Sequence, residues 1–96
     1  AELPKAAANK VLYSINNGDK GNMLVFFSGK PQIDEAKRYL DKMNLPNTVI
    51  IPYFGSMTRE EQKRAAANYE GKRVIFLATN ALDDGCVVYG FHFPAP

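Results

Sequence analysis

Three short, unbroken apolar runs constrain this chain more than anything else in it. They are Asn22 to Phe27 (N-M-L-V-F-F), Thr48 to Ile51 (T-V-I-I) and Arg73 to Ala78 (R-V-I-F-L-A). A strand with one wet face alternates apolar and polar residues, whereas a strand covered on both faces does not. Each run therefore predicts a buried strand, bounded by Gly21 and Gly29, by Pro52, and by Gly71.

Helical spacing fills the gaps. Lys5 to Ile15 places Val11, Leu12 and Ile15 on one side with Ala7 and Ala8 a turn earlier, and Pro4 suits the first turn. Asn16-Asn17-Gly18-Asp19 is a stop signal. Pro31 to Met43 carries an apolar stripe of Ile33, Ala36, Leu40 and Met43, with Asp34, Lys37, Arg38 and Asp41 facing outward. Thr58-Arg59-Glu60-Glu61 has the form of a capping box and opens a helix reaching about Tyr69. Helix, strand, helix, strand, helix, strand with short links predicts an α/β fold with a parallel sheet flanked by helices. In such sheets ligands meet the loops after the carboxyl ends of the strands. Those loops are Ser28-Gly29-Lys30, Tyr53 to Met57, and Thr79 to Gly85.

The loops suggest contact with phosphate. Thr79 offers a hydroxyl and an amide at a strand end. Ser28-Gly29-Lys30 precedes a helix whose first amides are free. It is not a Walker A loop, because Leu24 stands at the first Gly and Pro31 at the Ser or Thr. Thr79 and Asn80 serve equally as caps of the next turn, and Asp83 and Asp84 as solvated turn residues. Glu60 and Glu61 suit the first turn of a helix, where the dipole favours carboxylates. Tyr53 and Phe54 suit either base stacking or loop packing.

Composition bounds the rest. A chain of 96 residues, 46% hydrophobic and 23% charged, suits one soluble domain. A net charge of +2 is low for a protein that binds nucleic acid through a charged face alone. Any such contact is then local and shared with another part of a larger molecule. Cys86 has no cysteine partner, so the fold needs no oxidising compartment. His92, the only histidine, supports no His-based metal site and reads as partly buried. The apolar runs are too short to span a bilayer and no signal-peptide pattern opens the chain, so an intracellular place, cytoplasmic or nuclear, is expected.

Three segments in order then resemble the second RecA-like lobe, the helicase C-terminal domain, of DExH/DEAH-type superfamily 2 helicases. Gly21 to Lys30 with Ile33-Asp34-Glu35-Ala36 is similar to G-D-I-L-V-F-L-P-G-Q-E-E-I, motif IV and its helix. Ile51 to Gln62 is similar to P-L-Y/H-G-S-[LM]-x-x-E-E-Q, and Gly71 to Asn80 to G-x-R-K-V-V-V-A-T-N, the approach to motif V. The likeness runs from about Lys5 to Val88. It implies a three-layer RecA-like sheet, C-terminally incomplete, with residues 1–96 forming a partial domain. It also implies an NTP-hydrolysing helicase or translocase.

In that family the lobe closes on a first RecA-like lobe that holds ATP or another NTP with Mg. Single-stranded nucleic acid, usually RNA, crosses both lobes. The resemblance assigns Ser28, Gly29, Lys30, Gly55, Ser56, Thr79 and Asn80 to nucleic acid, and Asp84 and Gly85 to the nucleotide cleft. It assigns no catalytic residue and no resident metal. The sequence also departs from the family. Ser28 replaces a Pro, Asp84 replaces a Thr, and the A-L step with Gly85 stands closer to viral DExH helicases. Residues 86–96 contain no Arg or Lys, so the later Q-R-x-G-R-x-G-R helix is not found. The expectation is a fragment, inactive towards NTP alone. The competing readings are a degenerate lobe serving as a non-catalytic RNA- or protein-binding module, and an unrelated small α/β domain.

Overall fold

The computed structural model describes residues 2–18, 20–54, 58–79 and 87–91, the last five as backbone. The element order is α1 (Glu2–Asn16), β1 (Asn22–Phe27), α2 (Lys30–Lys42), β2 (Thr48–Tyr53), α3 (Arg59–Ala67), β3 (Arg73–Thr79) and β4 (Val87–Phe91). The strands lie in the order β2-β3-β1-β4. Both β1 and β2 run parallel to β3.

Continuous apolarity in β1 and β3 has the predicted meaning, because successive side chains feed opposite layers. Met23, Val25 and Phe27 of β1 and Ile75 and Leu77 of β3 pack under α1 and α2, against Ala7, Ala8, Val11, Ile33, Ala36 and Leu40. Leu24 of β1 and Val74, Phe76 and Ala78 of β3 form the second core, with Phe26, Ile51 and Ala65 and Ala66 of α3 packed against it. The result is the three-layer arrangement that the resemblance implies.

Four details differ from the sequence reading. The chain's second strand is not fully buried: every residue of β2 is half-buried, because it is an edge of the sheet. It also continues through Pro52 to Tyr53. A proline lacking an N–H is tolerated on an edge. The third helix stops at Ala67 rather than near Tyr69, and Gly71, at φ 79°, belongs to the turn that follows. A fourth strand, β4, was not expected, and it pairs antiparallel with β1 from Asn22↔Phe91 to Phe26↔Val87. The short link explains its direction. Only residues 80–86 separate β3 from β4, and a parallel return along the sheet needs a dozen residues or more.

Candidate nucleic-acid interface at the carboxyl edge

Register brings the carboxyl ends of the three predicted strands to one edge. Phe27 pairs with Thr79, and Tyr53 pairs with Ala78. The carboxyl ends of β2, β3 and β1 therefore finish level, with Thr79 in the middle, Ser28 following on one side and Phe54 on the other. Thr79 is half-buried, Ser28 is exposed and Gly29 is half-buried.

Gly29 is the N-cap of α2, in extended backbone at φ −174° and ψ 179°, with no side-chain cap. Its conformation does not require glycine. A Cβ there would meet Gln32 Oε1 at 3.2 Å, the end of a flexible side chain. Pro31 lies in the first turn, and no acidic residue does, so the positive end of the helix is not neutralised locally. Lys30 Nζ pairs with Asp34 at 2.9 Å, and both side chains are more than half exposed. An exposed pair of this kind contributes little stability and leaves the ammonium in contact with solvent. The same ammonium sits 5.4 Å from the centroid of the Phe54 ring.

The second loop is tied to α3. Thr58 accepts a hydrogen bond from the Glu61 amide at 3.1 Å, and its own amide donates to Glu61 Oε1 at 3.1 Å. This is the predicted capping box. The other oxygen of Glu61, Oε2, accepts from the Tyr53 hydroxyl at 2.6 Å. Glu61's carboxyl is held below the usual range, first by the Tyr53 hydrogen bond and then by Thr58. The Tyr53 phenol is pushed up, first by its bond to Glu61 and then by that carboxylate's charge. Of the two readings open for this aromatic pair, Tyr53 takes the packing one. Phe54 does not, being 54% exposed.

Among the predicted site residues, Ser28, Gly29, Lys30 and Thr79 share this edge. Gly55, Ser56, Asn80, Asp84 and Gly85 lie outside the described residues, as do Asp83, Cys86 and His92. The Tyr53–Glu61 bond could have been sought in the sequence, since the capping Glu lies just beyond a strand-terminal Tyr. The approach of Lys30 to Phe54 left no local signal, because it depends on how α2 crosses the sheet. Among the described residues, no helix is long and apolar enough to cross a membrane.

Comparison with known proteins agrees with this architecture. The chain is 33% identical over 73 residues to the ATP-dependent RNA helicase HrpA of Escherichia coli, covering 76% of this chain and 6% of that protein. It is 30% identical over 80 residues to the HrpA of Borreliella burgdorferi, covering 81% of this chain and 10% of the relative. The ATP-dependent RNA helicase DEAH12, chloroplastic, of Arabidopsis thaliana is 25% identical over 85 residues, 88% of this chain and 5% of its own length. The chain thus spans a tenth or less of these relatives. No solved structure matches it with significance. The model of the helicase conserved C-terminal domain matches residues 5–90, and with the carboxyl ends of β1, β2 and β3 level on one sheet edge, the chain belongs to that family.

Proposed function

We propose that this chain works as one lobe of an NTP-dependent RNA helicase or translocase, holding the backbone of a single strand along its carboxyl edge. The observation that carries this reading is the register of Phe27 with Thr79. It sets Ser28 and Thr79 at the ends of adjacent strands, with the open first turn of α2 beside them. Neutral hydroxyls and helix amides contact phosphate oxygens without reading bases. That suits a motor that must move along any sequence, and a chain whose net charge is only +2. The names of the relatives, all RNA helicases, support the motor reading over a degenerate binding module.

NTP with Mg fits a cleft between lobes better than a pocket in this one. The first loop puts Pro31 in the opening turn of α2, where a phosphate loop uses Ser or Thr for the metal. The nucleotide belongs mainly to a first RecA-like lobe. Bound there, it supplies the free energy that closes and opens the cleft. This lobe's part is to keep its grip on the strand through that cycle. An intracellular setting, cytoplasmic or nuclear, follows from the reading.

Two measurements test it. The pure chain should show no NTP turnover above a Thr79→Ala control, and turnover by the parent above that control would refute the division of labour. It should bind a fluorescent single-stranded RNA weakly and in a salt-sensitive way. The Ser28→Ala/Gly29→Ala/Thr79→Ala triple variant should lose that binding, and equal binding by the folded triple variant would overturn the assignment of this edge.

A further inference from the structure

The phosphate contacts just described leave Phe54 without a task, although it stands on the same edge. Its ring is 54% exposed at the end of β2, next to the strand that ends in Thr79. It belongs to neither core cluster. A single exposed aromatic is ordinary on a protein surface, but this one has a held position and a held companion. Tyr53 before it is anchored to Glu61 at 2.6 Å. Lys30, across the edge from it, places an ammonium 5.4 Å from the ring centroid. Lys30 also pairs with Asp34 at 2.9 Å.

An aromatic face beside a cation, on an edge that holds phosphates, is the arrangement that binds single strands without sequence preference. Every base has a π-face, and every nucleotide has a phosphate for the neighbouring charge. We propose that Phe54 stacks on a base of the bound strand, with Lys30 contacting the adjoining phosphate. The inference rests on the reading of this edge as a nucleic-acid interface and adds to it a base-facing contact. The hydroxyls at Ser28 and Thr79 grip the backbone from one side. The Phe54 ring limits how far the base above it can swing, and so sets where a nucleotide comes to rest.

The test uses the full chain and two fluorescent probes of equal length, an oligouridylate and an abasic ribose-phosphate oligomer. Phe54→Ala should weaken oligouridylate binding by about 5- to 140-fold and leave abasic binding unchanged. Phe54→Trp should restore the affinity. Because the ring is outside both cores, both variants should melt with the parent. Stacking is overturned if Phe54→Ala binds oligouridylate as the parent does, if it loses equally on the abasic probe, or if Phe54→Trp behaves like Phe54→Ala. If a Ser28→Ala/Thr79→Ala variant weakens RNA binding while Phe54→Ala does not, only the stacking inference fails. If the parent binds neither probe, the interface reading fails and takes the stacking with it.

Discussion

Replacing Thr58 by alanine removes the acceptor that satisfies the Glu61 amide, a bond of 3.1 Å at the start of α3. It leaves the reciprocal bond from the Thr58 amide to Glu61 Oε1 without its partner across the box. Loss of an N-cap hydroxyl costs about 1 kcal/mol. For a domain of this size that corresponds to a fall in Tm of about 4–8 °C. Thr58→Ser keeps an oxygen in the same place and should keep most of the stability. Thermal melts followed by circular dichroism give both numbers. An unchanged Tm for Thr58→Ala, or an equal loss for Thr58→Ser, would refute the capping account. The pH dependence gives a second check. Glu61 has a folded-state pKa below its unfolded value, so its contribution is complete above the unfolded value and fades as pH falls through the folded one. The phenol of Tyr53 is shifted upward, so its contribution holds below its unfolded value and fades as pH rises through the folded one. A Tyr53→Phe variant should therefore lie furthest below the parent at neutral pH, with the gap narrowing in acid as Glu61 is protonated. A gap that is constant across the acid range would mean the bond is not charge-assisted.

Two glycines should separate cleanly. Gly29→Ala should change Tm little, since its backbone is extended and the nearest obstacle is a movable side chain, whereas Gly71→Ala, at φ 79°, should cost about 1–2 kcal/mol in the same melts. Lys30→Gln should lower the slope of log affinity against log salt for single-stranded RNA by about 0.7, the share of one phosphate contact, and an unchanged slope in a salt titration would remove Lys30 from the interface. Phe76→Ala, in the second core at 0% exposure, should cost about 3–5 kcal/mol, a large part of what a domain of this length has, and denaturant titration reads it directly.

How much was legible in the sequence depended on how local the cause was. The limits of β1 follow from an apolar run between glycines, and the stripe Ile33, Ala36, Leu40 proved to be the buried face of α2. The capping box is a four-residue motif and was recovered whole. Long-range causes were not legible. That β2 is an edge, and so only half-buried, depends on strand order. Its V-I-I core differs little from the V-I-F of β3. The extra strand β4 follows from the brevity of residues 80–86, since a connection too short for a crossover turns the chain back. The two aromatics at 53 and 54 are interchangeable by composition. The structure separates them because alternate residues of a strand face opposite sides, which gives Tyr53 to Glu61 and leaves Phe54 beyond the last paired residue.

The order of strands also bears on the proposed hold of this edge on a nucleic-acid strand. The connection through α2 leaves β1, passes over the place β3 will take, and enters β2. The connection through α3 returns to fill the gap. Thr79 consequently ends in the middle of the row, between the loop that carries Ser28 and the loop that carries Phe54. Adjacent strands are about 4.8 Å apart, so three groups follow one another at roughly that interval: a hydroxyl beside a helix terminus, a hydroxyl alone, and an aromatic ring under an ammonium. Had β3 been added outside β2, Ser28 and Thr79 would sit about two strand spacings apart. The proposed grip on the backbone would then be split by the aromatic. The crossover places Ser28 and Thr79 together and Phe54 at the end of the row, the order that the proposed grip on a strand by a lobe of little net charge requires.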